Sequence, residues 1–143
     1  MGTMATVFEK LNLGSRQEIV VLGAPASFAP ELAQLAATTL HHHLESVAAC
    51  DFWLAFVTKK SEIGKLAPAI ARRAQGDAIV WFAYPKGTSK KYTCDFNRDT
   101  GWEPIKALGF DTVRAVAIDE DWTALRFRRN EYIKKKDRGP ELH

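Results

Sequence analysis

The sequence of 143 residues has few cysteines, no long hydrophobic run and little net charge. Two cysteines are too few for a disulfide framework, and a chain of this length can bury a core without one. The longest apolar stretches, such as Ala48–Val57, include Asp51 and fall far short of the ~20 residues that cross a membrane. We therefore predict a cytoplasmic protein with no signal peptide and no membrane span. Met4 is a second possible start, which would make Met1-Gly2-Thr3 a vector remnant.

Charge is divided unevenly along the chain. The 20 basic and 17 acidic side chains give a net charge of +3. Residues 1–58 hold 2 basic and 5 acidic side chains, whereas residues 59–143 hold 18 basic and 12 acidic ones. The second part therefore carries the positive surfaces of the protein, and a partner of negative charge would meet them there.

Apolar runs and helical spacing alternate along the chain. Continuous apolar segments predict buried strands at 17–22, 51–58 and 78–84, with a weaker strand at 38–44. Helices are expected at 27–37, 59–75 and 99–108, and β-like runs at 112–118 and 123–129 predict an antiparallel hairpin. This order predicts an α/β fold: a single-domain, three-layer Rossmann-like sheet, mostly parallel, over 1–130. Residues 131–143 are expected to form a basic, mobile tail.

Several segments together resemble a known family. They are Val21–Pro25 with Phe28, Asp51–Val57, Ile79–Lys86 and Asp119–Phe127. The chain resembles, over about residues 15–130, the small bacterial "domain of unknown function 3052" family and a truncated class I methyltransferase sheet. The resemblance implies a Rossmann-like, methyltransferase-like fold and brings no assigned activity.

The sequence departs from the pattern expected of a methyltransferase. The turn after the first strand, where S-adenosylmethionine binding normally uses several glycines, has Gly23 and then a proline. Glu45 is the nearest candidate for the acidic residue expected after the second strand. We therefore predict a non-enzymatic domain without a cofactor that binds an anionic small molecule or a protein partner. The alternative is an S-adenosylmethionine-dependent methyltransferase-like enzyme with its ligand at Gly23–Ser27, Tyr84 and Lys86.

Ligands of open α/β sheets bind at the carboxyl ends of the strands. This rule selects the loops at 23–27, 58–61 and 85–91, of which the last contains three lysines and two hydroxyl groups. The loop at 85–91 lacks the glycine spacing of a nucleoside triphosphate loop, and a solvated, mobile loop is the alternative to a ligand site. The candidate ligand-binding residues are Gly23, Ala24, Pro25, Ser27, Lys59, Tyr84, Lys86, Thr88 and Ser89.

Three other features suggest chemistry but have structural explanations. His41 and His43 could share one face of a strand, yet two imidazoles do not complete a zinc site, so we predict no metal. The acidic residues 119–121 are expected to be turn residues. Cys50 and Cys94 have no partner that the sequence reveals, and the catalytic residues stay unknown.

A basic strip lies near the end of the chain. Arg126 and Arg128 are expected to share one face of the last predicted strand. The strip is a candidate for nucleic-acid binding or, alternatively, a solubilising edge, and a homodimer is also possible. Its members are Arg126, Arg128, Arg129, Lys134, Lys135, Lys136 and Arg138.

Overall fold

A computed structural model describes residues 7–35 and 38–133. Its six strands form one sheet in the order β2-β1-β3-β4-β6-β5. The strands are β1 (Glu18–Leu22), β2 (Thr39–His41), β3 (Cys50–Phe56), β4 (Ala74–Pro85), β5 (Phe110–Ala117) and β6 (Trp122–Arg129). The α-helices are α1 (Val7–Lys10), α2 (Ala29–Ala33), α3 (Lys60–Arg73) and α4 (Glu103–Lys106).

The first four strands are parallel, and β6 runs antiparallel to both β4 and β5. The mixed, mostly parallel α/β sheet confirms the predicted fold class, including the hairpin at its end. The chain passes from β1 outward to β2 and then returns across β1 to β3. The topological switch point, where this fold class places ligands, therefore lies between the carboxyl ends of β1 and β3.

Apolar side chains cover both faces of the central strands. Every residue of β3 except Asp51 is buried, as are the last eight residues of β4. One face, which we name the α3 face, packs under α3 and α4 and includes Phe82, Trp102 and Phe127. The other, named the opposite face, packs under α1 and α2 and includes Phe28 and Trp81. On each face, the burial of apolar surface stabilises the fold by about 25 cal/mol for each Å² removed from water.

Two predicted helices are much shorter than the sequence suggested. The helix expected at 27–37 is a 3-10 turn, Ala26–Phe28, followed by α2, which has no buried residue to reward a longer helix. The helix expected at 99–108 is the single turn of α4. It lies between Gly101 and Gly109, both with φ +94°, a left-handed conformation that interrupts helices.

Strand β4 begins earlier than expected. The prediction ended the preceding helix at Gln75, whereas α3 ends at Arg73 and Ala74 already pairs with Cys50 of β3. The register shifts between Cys50 and Phe52, and Gly76 takes φ +54°. An irregular start of this kind leaves no periodic signal in the sequence.

Some predictions concern residues beyond the described part of the chain. The suggested vector remnant at Met1-Gly2-Thr3 and the lysines Lys134, Lys135 and Lys136 lie outside the described residues. The division of the chain at residue 130 stays a prediction. Within 7–35 and 38–133, no helix is long and apolar enough to cross a membrane.

Candidate functional site

A left-handed glycine forms the turn at the switch point. Leu22, the last residue of β1, pairs with Ala55 of β3, and Gly23 follows with φ +70°. A Cβ atom at Gly23 would lie 3.0 Å from the carbonyl oxygen of Phe56. Both the conformation and the close approach of β3 favour glycine here. The structure thus places the one glycine of the predicted turn directly at the crossover between the two strands.

The buried side chain of Phe28 holds the Gly23 turn against the core. Its ring is 2% exposed and packs against Phe56, with ring centroids 5.0 Å apart, and against Phe8 at 5.7 Å. Between Gly23 and this anchor, Ala24 and Pro25 are half-buried and Ser27 is exposed. The turn is therefore held by one aromatic side chain while its exposed residues stay accessible to a ligand.

The N-terminus of α3, next to this turn, is capped by two carboxylates. Oε1 of Glu62 accepts hydrogen bonds from the backbone N–H groups of Thr58, at 2.7 Å, and Lys59, at 3.2 Å. Oδ1 of Asp95 accepts one from the backbone N–H of Lys60, at 2.7 Å. These side chains satisfy donors that a helix start normally leaves open to a bound anion. The exposed Lys59 side chain lies beside them.

A cleft opens at the carboxyl end of β4. It encloses about 500 Å³ and lies between β4, the start of β6 and the loop 86–98. Among the described residues, two cationic side chains, Lys86 and Arg98, line it, and no carboxylate does. Its lining residues are Tyr84, Pro85, Lys86, Gly87, Ser89, Tyr92, Thr93, Cys94, Phe96, Asn97, Arg98 and Thr123.

Two weakly acidic side chains in the cleft stay protonated at neutral pH. Burial raises the pKa of the Tyr84 hydroxyl, and the charge of Arg98 acts in the opposite direction. Burial likewise raises the pKa of the Cys94 thiol. The cleft therefore offers neutral hydrogen-bond donors and positive charge, a combination that suits an acceptor oxygen or an anionic group on a ligand.

The loop 86–98 is fastened to the hairpin turn. The Ser89 hydroxyl donates to Oδ1 of Asp121 at 2.9 Å, and the backbone N–H of Lys86 donates to the Asp121 carbonyl at 2.8 Å. Asp119 in turn accepts from the backbone N–H groups of Asp121 and Trp122. The acidic residues 119 and 121 therefore act as turn and loop anchors, the structural role that the sequence favoured.

The predicted ligand residues fall into two neighbouring groups. Gly23, Ala24, Pro25, Ser27 and Lys59 lie at the switch point, whereas Tyr84, Lys86 and Ser89 line the cleft after β4. Thr88 is exposed and lies outside the cleft lining.

The prediction missed four residues at this edge. Tyr92, Phe96 and Arg98 line the cleft, and Asp95 caps α3. Only the path of the loop brings them there, and no sequence signal indicates that path.

Glu45, the acidic candidate that follows β2, does not reach the carboxyl edge of the sheet. Strand β2 ends at His41, level with Val20 in the middle of β1, and the chain then turns back toward the amino ends of the strands. By Val47 it meets Arg73, the last residue of α3, whose Nε donates to the Val47 carbonyl at 3.3 Å. The exposed Glu45 is therefore not a ligand of the switch point.

His41, in the histidine segment, contacts a carboxylate on the neighbouring strand. Nε2 of His41 lies 2.7 Å from Oε2 of Glu18 on the neighbouring strand β1. Over the described ranges 7–35 and 38–133, no group of three or more potential ligands could hold a metal ion. The pair contributes a cross-strand contact at the edge of the sheet.

The basic strip is divided between the two faces of β6. Arg128 forms a double hydrogen bond with Asp77, at 2.9 and 2.7 Å. Arg129, on the other face, donates to the carbonyls of Gly76 and Ala71. Arg126 and Arg128 lie on the same face, as the alternation of the strand predicts. Two of the three arginines of the strip that lie within the described residues are therefore engaged within the protein.

Comparison with known proteins identifies the fold class. No family model matches the chain, and no curated protein matches it. Among solved structures, a SAM-dependent methyltransferase from Aquifex aeolicus has a TM-score of 0.60 at 12% identity, over 86% of this chain and 87% of that one. The N-methyltransferase NodS from Bradyrhizobium japonicum has a TM-score of 0.53 at 10% identity, over 85% and 91%.

A third solved structure has a similar fold. The Methanococcus jannaschii fibrillarin pre-rRNA processing protein has a TM-score of 0.55 at 12% identity, over 82% of this chain and 68% of that one. At identities this low, the structural likeness establishes the fold alone. It is the Rossmann-like fold of class I methyltransferases. The neighbours nevertheless contradict the predicted non-enzymatic domain and favour the methyltransferase-like alternative.

Proposed function

We propose that this protein is an S-adenosylmethionine-dependent, methyltransferase-like enzyme. The cofactor would bind at the switch point beside Gly23, and the methyl acceptor would bind in the cleft after β4. The main support is the left-handed turn at Gly23. It lies at the crossover of β1 and β3, in a sheet whose fold resembles that of methyltransferases. The finer resemblance, to the "domain of unknown function 3052" family, is part of this proposal.

The charges at the switch point favour a cofactor without phosphate. Dinucleotides place their pyrophosphate at a helix N-terminus. The start of α3, the helix that follows the neighbouring strand β3, holds the carboxylates of Glu62 and Asp95, which would repel a phosphate at this edge. S-adenosylmethionine has no phosphate and carries a positive sulfonium, which two nearby carboxylates attract. The residues around the turn therefore fit this cofactor better than a dinucleotide.

The ribose of the cofactor would lack the acidic residue that is expected to bind it after β2. Strand β2 stops level with Val20, so it presents no carboxylate at the carboxyl edge. A hydrogen bond to a charged group contributes about 1.5–3 kcal/mol. We accordingly expect weak binding, with a Kd between about 10 µM and 1 mM, or roughly −7 to −4 kcal/mol.

The chain's own residues have distinct tasks in this proposal. The bound cofactor supplies an electrophilic methyl group. The exposed backbone and side chain at Gly23–Ser27 would hold it against β3. In the cleft, the neutral Tyr84 would orient the acceptor by a hydrogen bond, and Lys86 with Arg98 would attract an acceptor of negative charge. Positioning of this kind is a major part of the catalysis of group transfer.

Titration calorimetry with S-adenosylmethionine and S-adenosylhomocysteine tests the proposal. We expect both to bind the full chain, and Ala26→Trp to weaken binding at least tenfold, because Ala26 is exposed in the turn and a bulky ring there would cover it. Ala48→Trp, at an exposed position before β3, is the matched control and should leave the affinity unchanged. Absence of binding at 1 mM ligand, or equal affinity in both variants, contradicts the proposal.

A further inference from the structure

Two arginines face each other across the hairpin on the opposite face of the sheet. Arg114 of β5 and Arg126 of β6 are direct register partners, so their side chains share one face. It is the face opposite Leu125 and Phe127, which pack under α3. Like charges placed directly opposite each other destabilise a β-sheet. The pairing of Arg114 with Arg126 therefore has an electrostatic cost.

The neighbourhood of Arg126 does not supply the missing negative charge. Its Nε is buried and has no hydrogen-bond partner within the described residues. Arg114 is held in place by a 3.0 Å hydrogen bond from Nη2 to the Lys10 carbonyl, and its guanidinium lies 5.9 Å from the centre of the Trp81 ring. Two cationic groups thus lie side by side near an aromatic ring, and within the described residues the Nε of one of them lacks a hydrogen-bond partner.

The wider surroundings are also positive. Burial is the main cause that lowers the pKa of Arg126, and the charges of Arg128, Arg114 and Arg16 lower it further. Asp77 acts in the opposite direction, but it is paired with Arg128. Arg16 has its own carboxylate, with Nε 3.2 Å from Oδ2 of Asp51. Asp77 and Asp51 are therefore paired with Arg128 and Arg16 rather than with Arg126.

We propose that Arg114 and Arg126 form a binding site for the phosphate group of a small ligand. Guanidinium groups bind phosphate through paired N–H donors, and a dianion between them would turn their repulsion into attraction. Arg126 pairs with Trp81, four residues before the end of β4, and does not line the cleft there. The site is therefore separate from the proposed methyl-transfer site and does not depend on it.

The surroundings favour a small ligand over a nucleic acid. A nucleic-acid surface presents several free cations along a groove. Here Arg128 and Arg129 are bound to groups of the protein. A single phosphoryl group matches the two remaining arginines in size and charge.

Thermal unfolding of the full chain in inorganic pyrophosphate tests this site, with sodium chloride at equal ionic strength as the reference. At ten times its Kd, pyrophosphate should raise the melting temperature by about 3–5 °C. Arg126→Gln and Arg114→Gln should each reduce the affinity at least tenfold. Arg72→Gln, an exposed position on α3, is the matched control and should respond like the parent.

A second measurement uses the unaltered protein and so does not depend on the folding of a variant. The ¹⁵N–¹H side-chain signals of Arg114 and Arg126 should move in a titration with pyrophosphate and stay still with chloride. Unmoved signals, or an equal thermal shift in all three variants, overturn the proposal. A single-stranded oligonucleotide that binds through Arg126 while pyrophosphate has no effect also overturns it, in favour of nucleic-acid binding.

Discussion

The two faces of the sheet are built differently. On the α3 face, a helix of 14 residues and one short turn cover an apolar surface in which Phe82, Trp102 and Phe127 interlock. On the opposite face, helices of 4 and 5 residues pack against the first strands. There, β6 contributes the half-buried Arg126 and Arg128.

The difference shows what a covering helix permits. Under α3, a charged strand residue would be desolvated without a partner, so apolar residues are required. Where the covering helices are short, arginine stems can cover apolar surface while their charged ends stay in contact with solvent or ligands. Both faces therefore stabilise the fold, but only the opposite face leaves room at β6 for side chains that could bind charged groups.

The largest expected effect comes from the centre of the α3 face. Trp102 is 2% exposed, and its ring lies within 6 Å of the rings of Phe82, Tyr84, Phe96 and Phe127. Trp102→Ala should lower the free energy of unfolding by about 3–5 kcal/mol. Urea unfolding followed by circular dichroism measures this change. A loss below about 1.5 kcal/mol would mean that the α3 face is not the main core.

The indole N–H groups of Trp102 and Trp122 differ between the two faces. Nε1 of Trp102 donates to the Asn97 carbonyl at 3.0 Å, whereas the buried Nε1 of Trp122, on the opposite face, has no partner within the described residues. Trp102→Phe should therefore cost about 1 kcal/mol more than Trp122→Phe, because only the former breaks a hydrogen bond. Equal costs in urea unfolding would show that the hydrogen bond contributes nothing.

A moderate effect is expected from the ion pair on the opposite face. Asp77→Asn removes the charge that pairs with Arg128, and the Asp77 and Arg128 side chains are only 36% and 25% exposed. The free energy of unfolding should fall by about 1 kcal/mol at low salt and by less in 1 M NaCl, where charges are screened. Glu120→Gln, at an exposed turn position, is the control. A loss that is independent of salt would argue against an electrostatic origin.

The smallest effect concerns the pH dependence of Tyr84. Its pKa in the folded protein is raised by burial, so folding favours the neutral phenol. Stability from this group is present below the unfolded pKa of about 10 and is lost as the pH rises through the folded value. Tyr84→Phe should therefore reduce the loss of stability above pH 10, whereas Tyr132→Phe, at an exposed position, should not. Phenolate absorbance at 295 nm checks the titration directly.

The fold was predictable where one physical signal dominates. The continuous apolar runs of β3 and β4 and the 3–4 spacing of α3 gave their positions to within a few residues. Short helices such as α2 and α4 were overestimated, since their limits depend on tertiary contacts and on left-handed glycines rather than on composition.

The candidate site was predictable only in part. Gly23 and Tyr84 follow from the rule on strand ends, but Asp95 reaches α3 through a loop whose path has no sequence signature. Arg126 and Arg128 were expected on one face. Their neighbour Arg114 was not, because its register depends on an irregularity between Thr112 and Arg114. Such bulges are set by the hairpin as a whole.

The position of β6 between β4 and β5 has a consequence for synthesis of the protein. Strand β4 is buried on both faces, and one of its edges is closed only by β6. While the ribosome makes the first 121 residues, that edge has no partner, and an open apolar edge invites pairing with other chains. The sheet can be completed only after Arg129 has left the ribosome. Chaperone dependence during translation, and aggregation of chains released before β6, follow from this order of strands.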